Sequence, residues 1–562
     1  MKWRHWLIIS IFGISYFVLI FNLYDIQFKK GSFYAAKARL QNQASGVLEA
    51  KRGIIYFTDK NNSLIPVVVN KEYPVIFSVP QEIQKEIQKN TQLSGESLES
   101  ISEKLSPIVG KLAQDILKQL SKKNDLYEKF VQKASDSQVE EIKKLNIKGI
   151  YIDSFSARYY SFGKFAAHLL GYVSVANDKE AEKYGNAQIG RYGVESQFNS
   201  LLAGEVGNVK SDKIISPKDG QNLILTIDSN IQFQSENILK GLLEKWGAKS
   251  GTIIVQEPFS GKILAMASAP DFDPNNFSDF NIGNFINPAV ELIYEPGSVF
   301  KIITMSAGID SGKITPDTTY VDNGFVTLNR KTIRNWDHKS YGKQTMTNVI
   351  ERSLNTGSVF AESKIGHDIF KNYLNDFGFN ELTGINLPGE INGKLNNLKN
   401  GRDIDFATAS FGQGVAITPI SLINAFSAVA NGGILMKPII LADEKPEPKR
   451  RVISEDTSKK IVEMMVSAVK KNVIADIPNY KVAGKTGTAY IPNFQKGGYT
   501  DDVIHTYMGF APASHPNFVI LIKLEKPNVP LAGQTVLPAF RELSQFILNY
   551  YNVAPDNLAV SQ

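Results

Sequence analysis

The 562-residue chain contains no cysteine. That excludes a disulfide scaffold, a thiolate nucleophile, a CxxC redox pair and a zinc finger. The six histidines, His5, His168, His338, His367, His505 and His515, are too widely spaced for HExxH or HxxxH metal pairs. No G-x-S-x-G nucleophile elbow occurs. Gly484-Lys485-Thr486 ends like a phosphate-binding loop, but Asn479 stands where that loop needs glycine. Glycine (42) and proline (24) are too few for a collagen-like or low-complexity chain. A net charge of +6 with no concentrated basic face argues against a nucleic-acid partner. What remains is an ordinary globular composition, 43% hydrophobic and 21% charged, with a prior of roughly three or four domains.

One long apolar run is present. Residues 6–24 (WLIISIFGISYFVLIFNLY) carry no charge and suffice to cross a hydrocarbon core of ~30 Å as a helix. The run is longer than the apolar part of a secretory signal, and Asn22-Leu23-Tyr24-Asp25 offers no A-x-A cleavage site. The expectation is a cytoplasmic tail over 1–5 and a single-pass anchor over 6–24 in the cell (inner) membrane. The rest of the chain is expected on the extracytoplasmic side, with the anchor contacting lipid.

Residues 25–70 alternate short extended runs (GVLEA, IIYFT, IPVVV) with turns. From about 81 to 145 the pattern becomes helical. Leu98, Ile101 and Leu105 recur on one face, Pro107 interrupts, Leu112, Ile116 and Leu120 resume it, and Val139, Ile142 and Leu145 mark a third helix. No catalytic cluster lies there, so 25–220 reads as a spacer or docking module. Residues 204–220 are rich in Gly, Lys and Pro and mark a boundary. Beyond it come a strand at 222–228, a helix at 230–243 and a hairpin of 252–257 with 262–268. A second hairpin, 503–509 with 518–524, precedes a terminal helix at 540–551. Strands at both ends with helices between them predict an α+β domain over 221–562, its antiparallel sheet flanked by helices.

Three short elements in that domain could carry chemistry. Ser298-Val299-Phe300-Lys301 puts a hydroxyl and an amine on one helix face. Near a helix start, the Ser298 backbone N–H would also point toward a developing oxyanion. A serine needs a base, and lysine serves only when burial or a nearby cation lowers its pKa. Ser353-Leu354-Asn355 offers a hydroxyl and an amide two residues apart. Lys485-Thr486-Gly487-Thr488 reads as a strand with Lys485 and Gly487 on one face and Thr486 and Thr488 on the other. Gly487 leaves room for a peptide at the backbone, and Lys485 supplies the second cation that keeps Lys301 neutral. Taken singly, a surface Ser-Asn turn and a solvated edge strand explain two of them. All three in this order within one domain make coincidence a poor account.

These motifs resemble those of the penicillin-binding proteins, serine acyltransferases of bacterial wall synthesis with an S-x-x-K, S-x-N and K-T-G set. So do Thr252–Asn276, Leu387-Pro388-Gly389-Glu390, Phe411–Gly433 and PAFRELSQFIL near the C-terminus. Arg52-Gly53-Ile54-Ile55, Arg158-Tyr159-Tyr160, His168–Tyr172 and Gly190–Glu195 resemble the pedestal of the monofunctional class B branch, although Tyr56-Phe57-Thr58-Asp59 follows where Asp-Arg is usual. The closing segment looks more like the division or sporulation branch than the elongation branch. The resemblance implies an elongated α/β pedestal of the dimerisation type over 25–220 and a serine β-lactamase/transpeptidase-like domain over 221–562. It implies stem peptides ending in D-Ala-D-Ala as substrate, β-lactams as inhibitors, a polytopic glycan polymerase as partner, and no metal or organic cofactor. By the same resemblance, Ser298 attacks, Lys301 is its base and Ser353 relays a proton to the leaving amine. Asn355 holds Lys301 and the substrate amide. The N–H groups of Ser298 and Thr488 form an oxyanion hole, and Lys485, Thr486 and Thr488 bind the terminal carboxylate. Two alternatives stand beside this reading: a carboxypeptidase or β-lactamase-like hydrolase, and a non-catalytic scaffold or sensor.

Overall fold

A computed structural model describes residues 50–557 except 91–96, 124, 126, 178, 181–187, 211–212 and 494, preceded by residues 3, 12–13, 15–17 and 47–48. The expected anchor over 6–24 falls largely outside the described residues. Among those, no helix is long and apolar enough to cross a membrane.

The extended runs near the start become strands Ile55–Thr58 and Ile65–Ser78, which join Glu128–Val131 and Ile150–Tyr160 in one sheet. Its long central pair aligns Val68–Ser78 against Ile150–Tyr160 without a break in register. Helices Leu98–Val109, Ala113–Leu120 and Asp136–Leu145 bury Ile101, Leu105, Ile116 and Ile142 against Ile76 and Phe130. Pro107 does not interrupt the first of these helices. It lies in the last turn, where a missing N–H forfeits one hydrogen bond, and left-handed Gly110 (φ 68°) ends the helix instead.

The strand expected to open the second domain, Leu223–Asp228, completes the first domain's sheet by pairing in parallel with Ile55–Thr58. It also reaches the other way: Thr226 N–H donates to Ile440 O at 2.8 Å, and the Thr226 hydroxyl donates to Ile263 O at 2.7 Å. Aromatic packing seals the same junction. Tyr172 stacks on Phe277 at 4.2 Å between ring centroids and meets Phe272 edge-on, while Asn275 exchanges two 3.0 Å hydrogen bonds with the Tyr160 backbone.

The second domain is built on five antiparallel strands in the spatial order Ile263–Ala269, Ser250–Gln256, Phe518–Glu525, Tyr499–Ala511 and Ala483–Pro492. Alternation along the central strands serves two cores. Ile253, Val255, Ile520 and Ile522 pack under helices Ser229–Trp246 and Ala532–Tyr550, whereas Ile254, Val519 and Leu521 face helices Lys301–Asp310 and Pro419–Ala430. The terminal helix starts eight residues before the expected Phe540, continuing through Pro538. Tertiary burial of Val536, Leu537 and Phe540 outweighs that local break.

Three segments far apart in sequence meet in one buried ion cluster. Glu195, with no exposure, accepts from Arg52 Nε at 2.7 Å and from Arg158 Nε at 2.6 Å. Burial alone would raise its carboxyl, but the Arg158 and Arg52 guanidiniums outweigh that and hold it below the usual range. Arg158 also donates to Gly53 O and Arg52 to Asn199 Oδ1, so the cluster ties the first strand's lead-in to the helices after 193. Glu195→Gln, which leaves two buried guanidiniums without a counter-charge, is expected to lower stability by about 3–5 kcal/mol in guanidinium unfolding at pH 7. The deficit should shrink as pH falls from the ordinary carboxylate range down through the lowered pKa of Glu195, below which the wild-type carboxyl is itself protonated. A loss under about 1 kcal/mol would place the cluster in contact with water.

Candidate active site

Pro296 and Gly297 (φ +64°) turn the chain into a single tight helical turn, Gly297–Phe300, that runs on as helix Lys301–Asp310. Val299, Phe300, Ile302, Ile303 and Met305 are all fully buried, as are Lys301, Thr304 and Ser306, so the helix is enclosed on every side. The expected buried helix after Ser298 is therefore present. Ser298 itself is half-buried, and its hydroxyl bonds to none of the described residues.

The fifth strand, Ala483–Pro492, is a free edge of the sheet and lies against this turn. Its burial alternates as expected: Lys485, Gly487 and Ala489 are buried, while Thr486 and Thr488 are partly open. Two glycines permit the contact. A Cβ on Gly297 would lie 2.9 Å from Thr488 O, and one on Gly487 would lie 2.8 Å from Pro296 O. The space at Gly487 is thus filled by the chain's own turn rather than kept for a peptide. A third glycine, Gly412 (φ +79°), accepts the Gly297 N–H at 3.0 Å from the opposite side.

Lys301 and Lys485 converge on Ser353. The Lys301 amine lies 2.7 Å from Ser353 O, 2.8 Å from Asn355 Oδ1 and 3.2 Å from Ser353 Oγ. The Lys485 amine donates to that same Oγ at 2.9 Å and to Thr486 O at 3.0 Å. Burial pushes the Lys301 pKa well below its ordinary value, and the Lys485 charge pushes it further. Burial alone lowers Lys485 to about 7. A neutral amine has two N–H groups and one lone pair. In Lys301 the two shortest contacts take the N–H groups, leaving the lone pair for a hydroxyl proton.

Ser353 reaches this position through a left-handed backbone (φ 59°, ψ 43°) that caps helix Met346–Arg352. The conformation costs a non-glycine residue roughly 1–2 kcal/mol and aims both carbonyl and hydroxyl at the amines. Asn355 begins the next helix, Asn355–Ile365, and its Nδ2 donates to Arg334 O at 2.8 Å. Part of that amide is therefore used within the protein.

Several supporting residues carry no sequence motif. The Ser410 carbonyl accepts the Thr304 and Ser358 hydroxyls, each at 2.7 Å, clamping the Ser298 and Asn355 helices together. Buried Asp322 accepts from Thr356 Oγ1 at 2.7 Å and from Asn335 Nδ2, fixing the start of the Asn355 helix. Glu295, three residues before Ser298, bonds to Tyr499. A composition or spacing rule finds none of these, because the pairings span from 13 to 204 residues. The arrangement offers a reactive hydroxyl, two amines of tunable charge, and an open strand edge on which an extended peptide can be laid. Two cavities, of about 660 Å³ beside Arg191 and Gly389 and about 610 Å³ beside Arg451 and Lys481, both lie away from Ser298. Ser298 lies beside the edge strand, and neither of these cavities is lined by it.

Residues 251–545 match the penicillin binding protein transpeptidase domain, and residues 47–222 match the penicillin-binding protein dimerisation domain. Stage V sporulation protein D of Bacillus subtilis is 31% identical, covering 98% of this chain and 86% of its own length. A probable peptidoglycan D,D-transpeptidase PbpC of Pseudomonas aeruginosa is 29% identical, covering 99% and 97% respectively. The crystal structure of penicillin binding protein 2X from Streptococcus thermophilus superimposes with a TM-score of 0.73 at 23% identity, over 90% of this chain and 81% of that one, and speaks to the fold.

Gly487→Ala tests the contact between strand and turn. The new methyl meets backbone at Pro296, so the edge strand must shift away from Ser298. The expected cost is about 1–3 kcal/mol, read as a lower melting temperature together with slower modification of Ser298 by a serine-directed acylating agent. Unchanged values for both would mean that the strand yields freely.

Proposed function

The chain belongs to the penicillin-binding protein transpeptidases, and from that membership we propose that it cross-links peptidoglycan stem peptides through an acyl-enzyme on Ser298. The observation that carries the residue assignment is the pair of buried lysines on the Ser353 hydroxyl, one of which, Lys301, follows Ser298 by a single helical turn.

The Ser298 hydroxyl gives its proton to neutral Lys301, and the oxygen bonds to the carbonyl carbon of the penultimate D-Ala. The resulting oxyanion sits between the N–H groups of Ser298 and Thr488, each such donor typically contributing ~3 kcal/mol. Lys485, still charged, attracts the terminal carboxylate together with Thr486 and Thr488. The proton taken by Lys301 passes through Ser353 to the leaving nitrogen, and terminal D-Ala departs. An amine of a neighbouring stem then attacks the ester, which restores Ser298 and forms the cross-link. Asn355 holds Lys301 throughout, and Gly487 sets the distance between strand and turn. β-Lactams would acylate Ser298 by the first half of this route. Residues 25–220 would act as pedestal and 221–562 as the catalytic body. The apolar run at 6–24 supports an anchor in the cell membrane with the catalytic body outside, where a polytopic glycan polymerase would be the partner. The sporulation-named relative favours septal or sporulation wall synthesis over elongation.

Mass spectrometry after exposure to a penicillin is expected to find one adduct, on the peptide carrying Ser298. Ser298→Ala should abolish it, and Lys301→Met should slow it by about 10²–10⁴-fold. Label persisting in Ser298→Ala would favour the scaffold reading. Product analysis with stem pentapeptide and an acceptor should yield cross-linked dimer, and free D-Ala with hydrolysed peptide alone would identify a carboxypeptidase.

The acylation rate should follow a bell in pH. It rises as Lys301 loses its proton and declines above about pH 7 as Lys485 loses its own. A rate that kept rising to pH 10 would remove Lys485 from the charged role.

A further inference from the structure

Glu295 is a carboxylic acid without a counter-charge just before the Ser298 turn. It lies three residues before Ser298 and is half-buried, and its Oε2 accepts the Tyr499 hydroxyl at 3.1 Å. Burial pushes its pKa up to about 7, with the Gly414 backbone and the Tyr499 hydroxyl offsetting only part of that effect. No lysine or arginine among the described residues pairs with it. Such a group costs free energy that a cation arriving from outside would recover.

Its place along the edge strand says what that cation would belong to. Lys485 marks one end, where the carboxylate of the leaving residue is drawn. Thr488 lies against Gly297, beside the nucleophile, and Pro492 pairs with Tyr499, which holds Glu295. From Thr488 to Pro492 an extended chain advances about 13 Å. The strand edge is therefore cationic at its leaving-group end and has an acid without a counter-charge near the other, with the Ser298 turn between. Tyr499 is 43% exposed, so the acid is reached from solvent beside it.

We propose that Glu295 recognises a primary ammonium of the peptide substrate, on the side chain of a diamino acid, and so helps determine which stems the enzyme accepts. The inference rests on the transpeptidase reading, whose second step requires an amine. That ammonium has two possible sources, the stem that acylates Ser298 and the stem that receives the acyl group.

The test uses the full chain and two pentapeptides ending in D-Ala-D-Ala, one with a free side-chain amine and one with that amine acetylated. In the first arm, single-turnover release of D-Ala from each peptide is measured without acceptor. In the second arm, the acetylated peptide acylates the enzyme, and a tetrapeptide bearing a free amine competes with water for the acyl group. The wild type should favour the free amine by about tenfold in one arm, which names the source. Glu295→Gln should bring that ratio within twofold of unity, and Tyr499→Phe, which keeps the acid but removes its hydroxyl partner, should shift the same ratio should the first variant not fold. A wild type with no preference in either arm, or a preference that survives in both variants, overturns the proposal. Failure of a penicillin to label Ser298 in the wild type would instead overturn the transpeptidase reading.

Discussion

Two lysine amines that share one hydroxyl in a dry site cannot both keep a proton at neutral pH. The contacts of 3.2 and 2.9 Å to Ser353 Oγ limit the separation of the two nitrogens to about 6 Å. At an effective dielectric of ~20, two positive charges that close repel by roughly 3 kcal/mol, equivalent to about two pKa units. Desolvation acts in the same direction on both. The conflict favours a neutral Lys301, whose pKa is lowered by burial and further by the Lys485 charge, whereas burial alone acts on Lys485. In the proposed mechanism a general base and an electrostatic anchor thus arise from the same residue type, separated by environment alone.

Much of the surrounding structure holds that pair in place. The Ser298 helix is locked by burial on all faces, the Asn355 helix is fixed by Asp322 and Thr356, and the two are joined through the Ser410 carbonyl. Glycines at 297, 412 and 487 let turn, loop and edge strand converge, since a Cβ on any of them would meet neighbouring backbone within 3.0 Å. The left-handed backbone of Ser353 is the one strained element at the centre, and the hydrogen bonds from both lysines occupy the oxygens it presents. Strain here is offset by contacts that the unstrained backbone would forgo.

The local pattern of the site was legible in the sequence, and its three-dimensional closure was not. Period-two alternation placed Lys485 on one face and Thr486 and Thr488 on the other, and the structure keeps that division. The i, i+3 spacing placed Ser298 and Lys301 at a helix start. Sequence spacing could not show that Gly487 accommodates the Pro296 carbonyl, because that contact joins residues nearly two hundred positions apart. It could not reveal that Asn355 spends part of its amide on Arg334, or that Ser410 serves as a clamp, for the same reason. The two misjudged helix ends, at Pro107 and before Phe540, share another cause: proline is a local signal, and burial of neighbouring apolar side chains overrode it. The cut between domains was read from Gly, Lys and Pro composition, yet the strand directly after it belongs to both sides.

That shared strand has a mechanical consequence. Leu223–Asp228 lies parallel to Ile55–Thr58, and through Thr226 it is also bonded to the segments around Ile263 and Ile440. Tension pulling the lead-in at Arg52 away from the catalytic body runs along these strands, so their hydrogen bonds bear it together in shear rather than opening one after another. With Arg52 held to Glu195 behind that seam, the first domain works as a stiff strut. A tug at its near end would reorient the reactive groove as one piece, without loosening it.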